Sequence, residues 1–174
     1  MGIEICAFNN VRQHSNDFIL PKNVSLIDSV DIEDLGLDTS NSYVGVRYEH
    51  SMAFGFRRFT QFLNYLSALD REFLLSLESL FPRSEGVISH ALCADAYFNQ
   101  ILPIIDDIQS FSPESYAAYY PENDFDEVAE YLATISCSEA KELHSYLGMR
   151  KSEFNNFLNL LQFSAQHEGF ISYG

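Results

Sequence analysis

Three consecutive residues, Glu49-His50-Ser51, contain the side chains of a nucleophilic triad. In such a site a carboxylate orients an imidazole, and the imidazole removes the proton of the attacking hydroxyl. Neighbouring residues of an extended segment project to alternating faces, whereas the members of a triad converge from separate elements. The contiguous spacing therefore favours an ordinary strand segment, and we expect no catalytic role for it.

His90 and Cys93 form a second candidate, because residues three apart lie on the same side of a helix and can share one metal ion. A structural zinc site needs two more ligands, and no second Cys/His pair has the required spacing. The usual motifs of P-loops, dinucleotide-binding turns, zinc proteases and nucleophile elbows are also missing. A buried cysteine at the start of a capped helix is the simpler interpretation. The sequence therefore predicts no catalytic residue, no metal and no cofactor.

Basic side chains cluster at Arg47, Arg57, Arg58 and Arg71. A guanidinium group can hold a carboxylate or phosphate through two parallel hydrogen bonds, so this cluster could form a small anion site. Ion pairs with the protein's own acids are the simpler expectation.

The strongest signal is a run of 57 residues, from Ser84 to Ala140, that contains no Lys or Arg but eleven carboxylates. Residues 1–83 carry eleven acids against seven bases, and residues 141–174 carry three of each. The net charge of −15 therefore divides into −4, −11 and 0 along the chain. Such asymmetry bears on partners and association rates rather than on fold.

This acidic run is either a solvated surface that maintains solubility or a docking face for a basic protein. Tyrosines among the acids favour docking, because aromatic side chains anchor many interfaces. A surface of this charge repels phosphate backbones and anionic lipid, so we expect neither nucleic acid nor membrane as a direct partner. The predicted partner-binding residues are Asp106, Asp107, Glu114, Tyr116, Tyr119, Tyr120, Glu122, Asp124, Asp126, Glu127 and Glu130.

Length and composition predict one globular domain over residues 1–174. A hydrophobic fraction of 47% is sufficient for a core. No stretch of apolar residues is long enough for a membrane span, and the amino terminus lacks the basic region of a secretory signal. Three widely spaced cysteines, Cys6, Cys93 and Cys137, fit free thiols in the cytoplasm.

Alternating apolar and polar residues predict strands at residues 2–8, 43–48 and 170–173, which could pair into one small sheet. Residues 9–42 lose this alternation and read as an irregular loop or insertion. Residues 84–140 are predicted to form an acidic helical region.

Helical spacing of apolar residues begins at Phe59, and a further helical piece near 73–80 ends before Pro82. Ser89 is the expected N-cap of a long segment that reaches Gln109 and is kinked by Pro103. Further helix starts are predicted at Ser112, Asp124 and Ser136, the last helix ending at Gly148, and a final helix is predicted from about Phe154 to Gly169. The fold class is α+β, a predominantly helical single domain with a small sheet.

Four blocks of sequence occur in a suggestive order: MGIEICAFNNVRQ, Gly45-Val46-Arg47 followed by Arg58, FPRSEGVIS, and FLNLLQFSAQHEGFISYG. Together they resemble a family of small uncharacterised proteins from bacteria and their phages. The resemblance implies a bacterial or phage host and no established activity. By the family's pattern, Arg47, Arg58, Glu85 and Gly86 would form a shared site.

The leading hypothesis is a non-enzymatic, cytoplasmic protein that binds a basic protein surface. It would act as an inhibitor, immunity protein or anti-defence protein such as an anti-CRISPR, imitating the charge of DNA towards a nucleic-acid-binding protein or a toxin. One alternative is a small-molecule or anion-binding module, or an enzyme, that uses Arg47, Arg58 and Glu85. Another is a structural subunit of a bacterial or phage assembly. The sequence does not predict the oligomeric state.

Overall fold

A computed structural model describes residues 2–15, 19–111 and 137–174, without the side chains of residues 137–144 and 146. Helices pack on a five-stranded antiparallel sheet, which confirms the predicted α+β class. The sheet contains the three predicted strands, at the amino terminus, near residue 45 and at the carboxyl end, and two short strands at its edges.

The strands are β1 (Gly2–Gln13), β2 (Val24–Leu26), β3 (Tyr43–Gly55), β4 (Gly86–Ile88) and β5 (Phe170–Tyr173). Their order across the sheet is β2-β3-β1-β5-β4, and every neighbouring pair is antiparallel. The sheet therefore brings both ends of the described chain together at its centre, where β1 lies between β3 and β5.

β1 and β3 are longer than the sequence predicted, because they continue to Gln13 and Gly55. Their pairing shifts register between Cys6 and Phe8 and again between Asn9 and Arg12. Each bulge resets which residues face the core, so a single alternating pattern cannot follow the whole strand.

The segment 9–42 was predicted to be irregular, and this was wrong for three of its parts. It contains the end of β1, the edge strand β2 and a helix, α1 (Ser29–Asp34). Asp28 caps α1, since its Oδ1 accepts a hydrogen bond of 3.1 Å from the Val30 amide. Elements of three and six residues are too short to produce a readable period.

The remaining helices are α2 (Phe56–Phe73), α3 (His90–Ala94), α4 (Ile105–Gln109) and α5 (Cys137–Gln166), with 3-10 turns at Glu78–Leu80 and Leu102–Ile104 and a π-helix at Asp95–Ile101. The regularly spaced apolar residues predicted to form one side of α2 include Phe59, Phe62 and Leu66, and these three are buried. The helix ends at Leu74, which adopts the left-handed conformation with φ 57°.

The segment from Ser89 to Gln109 follows the prediction in extent. Ser89 is the N-cap, and its hydroxyl accepts a hydrogen bond of 3.4 Å from the Leu92 amide. The segment changes from α to π to 3-10 geometry before Pro103. Proline has no N–H to donate and crowds the preceding turn, so the hydrogen-bond ladder rearranges ahead of it.

The predicted helix end at Gly148 was wrong, because α5 continues through it to Gln166. A Cβ added at Gly148 would meet nothing within 4 Å, so this residue lies on an open side of the helix. Leu147 and Phe154, on the other side, are buried in the core. Glycine inside a helix costs about 1 kcal/mol of stability relative to alanine. The burial of large side chains such as Leu147 and Phe154 contributes more than this.

The two faces of the sheet are covered differently. The large core lies between one face and the helices α2 and α5, and it contains Ile5, Phe62 and Phe157. The opposite face carries a smaller cluster that includes Phe8 and Phe170, whose rings stack at 5.4 Å. The candidate site opens on this second face.

Candidate functional site

A cavity of about 290 Å³ lies between the second face of the sheet and α1. Cys6 and Phe8 of β1 and Ser172 of β5 line it from the sheet. Asp28 and Asp31 line it from the start of α1. The cavity therefore collects residues that are far apart in sequence.

The sheet register explains this convergence. Even-numbered residues at the start of β1 share one face, so Glu4 joins Cys6 and Phe8 in lining the cavity. Ser172 pairs with Cys6 across the β1–β5 ladder, and Arg47 pairs with Phe8 across the β1–β3 ladder.

The cavity is strongly acidic. Its lining contains the carboxylates of Glu4, Asp28, Asp31 and Glu85, against the single guanidinium of Arg47. Four negative groups and one positive group give a formal charge of −3. Arg47 forms an ion pair with Glu4, so the other three carboxylates share no cation from the cavity lining.

The Glu4–Arg47 pair is stable as a charged pair. Partial burial alone would raise the pKa of Glu4, but the hydrogen bond and charge of Arg47, together with hydrogen bonds from Cys6 and Ser51, outweigh it, and the pKa lies below its usual value. The side chains of Arg47 and Glu4 are 35% and 51% exposed, so solvent screens their attraction.

Asp31 is the unusual carboxyl group of the site because it is only 6% exposed. Burial raises its pKa, the neighbouring charges of Asp28 and Asp34 raise it further, and a hydrogen bond with Ser172 opposes both effects. The folded protein therefore holds a carboxylate whose charge is poorly compensated beside the cavity.

Cys6 is one of the cavity-lining residues, and burial raises the pKa of its thiol to about 12. The nucleophilic form of cysteine is the thiolate, which is scarce at neutral pH for such a group. The thiol acts here as a small apolar side chain.

Gly86 lines the cavity with a backbone conformation that favours glycine. Its φ is 149°, and an added Cβ would lie 2.9 Å from Oδ2 of Asp34 and 3.1 Å from Nη2 of Arg83. Asp34 and Arg83 form an ion pair at 2.5 Å beside this glycine. The tight turn places Glu85 at the cavity.

Three of the four residues predicted as a shared site, Arg47, Glu85 and Gly86, line this cavity. The fourth, Arg58, does not: it forms an ion pair with Glu153 where α2 approaches α5. The expectation that arginines pair with the protein's own acids is confirmed for Arg47 and Arg58.

Arg58 belongs instead to a buried charge cluster. Glu153 is 4% exposed, and its second oxygen lies 3.0 Å from Nη1 of Arg150, which is 1% exposed. Nη1 of Arg150 also donates to the backbone oxygen of Arg58 at 3.2 Å. This cluster fastens α5 to the start of α2.

The other chemical candidates are separate from the cavity lining. Glu49 and His50 are exposed on β3 and 3.4 Å apart, which agrees with the predicted strand segment. Nδ1 of His90 lies 3.0 Å from the backbone oxygen of Ser164, and Cys93 is buried. Among the residues that the structure describes, no three His, Cys, Asp or Glu side chains are placed to hold a metal ion.

Of the predicted partner-binding residues, Asp106 and Asp107 are exposed in the first turn of α4. The rest lie outside the described residues, as do the helix starts predicted at Ser112 and Asp124 and the capping residue Ser136. They are Glu114, Tyr116, Tyr119, Tyr120, Glu122, Asp124, Asp126, Glu127 and Glu130.

The sequence did not reveal Glu4, Asp28, Asp31 and Ser172 as members of one site. The only local indication in the sequence was Asp28, a residue type favoured at the N-cap of a helix, followed three positions later by the acid Asp31. Their proximity comes from strand register and from the position of α1 over the sheet, which no short motif encodes.

Comparison with known proteins gives no relative: no protein family, curated protein or solved structure matches this chain. The family resemblance in the sequence therefore remains a prediction. No helix in residues 2–15, 19–111 and 137–174 is both long and apolar enough to cross a membrane.

Proposed function

We propose that this protein binds a basic protein surface and that the acidic cavity receives a lysine or arginine side chain of the partner. The observation that carries this proposal is the formal charge of −3 of the cavity lining, in which the guanidinium of Arg47 is already paired with Glu4. Arg83 lies beside Gly86 and is paired with Asp34, so this pair leaves the charge of −3 unchanged. A cation entering the cavity would supply the missing positive charge.

The cavity suits both parts of such a side chain. Phe8, Leu26 and Val30 offer apolar contact for the methylene groups. Asp28 and Asp31 offer oxygens to the charged head. Binding a cation would also relieve the cost of the buried Asp31 carboxylate, so part of that cost becomes binding energy.

An anion is a poorer fit for the same cavity. It would compete with Glu4 for Arg47 and would approach the carboxylates of Asp28, Asp31 and Glu85. Like charges repel, and the repulsion is stronger where water is partly excluded from the cavity. The cavity therefore favours the basic-partner hypothesis over the anion-binding alternative.

The acidic run contributes at longer range. The eleven carboxylates between Ser84 and Ala140 create a negative field that would steer a basic partner before contact. Within the cytoplasm, the natural targets are proteins with surfaces that bind phosphate groups of nucleic acid, and toxins of similar charge. By covering such a surface, the protein would act as an inhibitor, an immunity protein or an anti-defence protein.

The proposal is tested by titrating the ¹⁵N-labelled protein with N-acetyl-lysine amide and with N-acetyl-norleucine amide, which lacks the charge. We expect the lysine derivative to shift the amide signals of Asp31, Gly86 and Ser172 in a saturable way. Norleucine should leave them almost unchanged, because its side chain brings no cation to the carboxylates.

A double variant, Asp31→Asn with Glu85→Gln, should abolish the response. Glu49→Gln with Glu72→Gln is the matched control, since both acids are exposed and lie outside the cavity lining. Equal shifts with norleucine, or an unchanged response in the double variant, would refute the cavity as a cation site.

A further inference from the structure

A second surface, separate from the cavity, lies along the segment from α3 to α4. Phe98 and Leu102 are four residues apart and are 42% and 46% exposed. Ala94 and Ile105, on the same segment of the chain, are partly buried and pack against the main core. We call these four residues the apolar strip.

Phe98 lies in the π-helix Asp95–Ile101, and Leu102 begins the 3-10 turn that follows it. Phe98 packs edge-on against the ring of Tyr97 at 5.0 Å, which limits its side-chain motion. A restrained aromatic side chain loses little entropy when it anchors a partner.

Acidic residues accompany the strip. Asp95, Asp106 and Asp107 are exposed on the same segment. Residues 84–111 carry no Lys or Arg at all. An apolar strip beside one sign of charge matches the pattern of grooves that receive amphipathic helices of opposite charge.

We propose that the apolar strip is a docking surface for a basic amphipathic helix of the partner protein. The proposal rests on the proposed function and adds the form of the partner: apolar side chains would cover Phe98 and Leu102, while Lys or Arg would face the aspartates. Charge complementarity selects this occupant. A second copy of the chain would bring a net charge of −15 against the same sign.

The test uses three fluorescent peptides. One contains only Lys and Leu arranged with helical periodicity, the second has the same composition in a scrambled order, and the third has Glu in place of Lys. We expect the ordered basic peptide to bind at least about tenfold more tightly than either other peptide, because only it matches both shape and charge.

Two variants locate the binding. Phe98→Ser with Leu102→Ser should weaken binding of the ordered basic peptide at least about tenfold. Leu74→Ser is the control, since Leu74 is 91% exposed on a different element and its replacement should change binding less than about twofold. The cavity variant Asp31→Asn with Glu85→Gln should also bind normally, which separates failure of this proposal from failure of the cavity.

Hydrogen–deuterium exchange on the unmodified protein provides a readout that does not depend on variant folding. The ordered basic peptide should protect amides between residues 94 and 107. Equal binding of the scrambled peptide, protection elsewhere only, or unchanged binding by the Phe98/Leu102 variant would overturn the proposal. So would sedimentation showing a dimer that the same variant dissociates, because the strip would then be covered by a second copy.

Discussion

At the residue scale, Asp31 links stability to the cavity. Its pKa is raised in the folded state, chiefly by burial, so the folded protein binds this proton more tightly than the unfolded chain does. Stability from this group is therefore greatest below the unfolded value of about 3.9 and falls as pH rises through the folded pKa.

Replacing Asp31 with asparagine should remove that loss. We expect Asp31→Asn to unfold at equal or higher urea concentration at pH 7, with a gain of up to roughly 1 kcal/mol. Asp38→Asn is a control for which the opposite change, a lower stability at pH 7, is expected. Hydrogen bonds from Ser40 lower the pKa of the exposed Asp38, so its charged form is favoured in the folded protein. A marked loss of stability in Asp31→Asn at pH 7 would show that the Asp31 carboxylate does not destabilise the folded protein.

Gly86 has a backbone conformation and close neighbours that favour glycine over other residues. With φ 149° and only 2.9 Å between an added Cβ and the Asp34 carboxylate, Gly86→Ala should cost about 1–3 kcal/mol of unfolding free energy. Gly55→Ala provides the comparison, since an added Cβ there meets nothing within 4 Å and only the smaller cost of alanine at the N-cap of α2 is expected. Equal effects of the two substitutions in urea unfolding would show that the turn at Gly86 is not constrained.

At the element scale, Asp70 holds the chain where α2 ends. Its carboxylate accepts hydrogen bonds of 2.7 Å from the Leu77 amide and 2.8 Å from the Glu78 amide, and so supports the 3-10 turn that follows. Asp70→Ala should lower the unfolding free energy by about 1–2 kcal/mol, while Asp70→Asn, which keeps one acceptor oxygen, should lose less. Identical stability of both variants would argue against this capping role.

Gly148 tests the continuity of α5. Because the helix passes through this residue and an added Cβ meets no atom within 4 Å, Gly148→Ala should raise the melting temperature, with a gain of about 1 kcal/mol. A helix that ended at Gly148, as the sequence predicted, would place this glycine in a cap, and alanine would then be destabilising.

Elements governed by local chemistry were predictable from the sequence. The cap at Ser89 depends on one side chain and the stripe of α2 depends on spacing, so both were predicted correctly. The lengths of β1 and β3 were missed because bulges interrupt their alternation. The cavity was missed because Glu4, Asp31 and Ser172 meet only through strand register and the placement of α1.

At the scale of the whole molecule, charge asymmetry should control how fast a partner arrives. A partner captured from host lysate at low salt should be released at high salt, because screening weakens long-range attraction. Neutralising five acids of the run should slow its association by at least about an order of magnitude and change dissociation less. The five acids are Asp106, Asp107, Asp124, Asp126 and Glu127. An unchanged association rate would contradict steering by this run.

The acidic cavity is proposed to accept a basic side chain of a protein partner. The dissociation constant of the captured partner, measured with the wild-type protein and with the Asp31→Asn, Glu85→Gln variant, tests this directly. We predict a loss of affinity of at least about tenfold, with Glu49→Gln, Glu72→Gln remaining within about twofold of wild type. Equal affinity of the cavity variant and the control would contradict the claim.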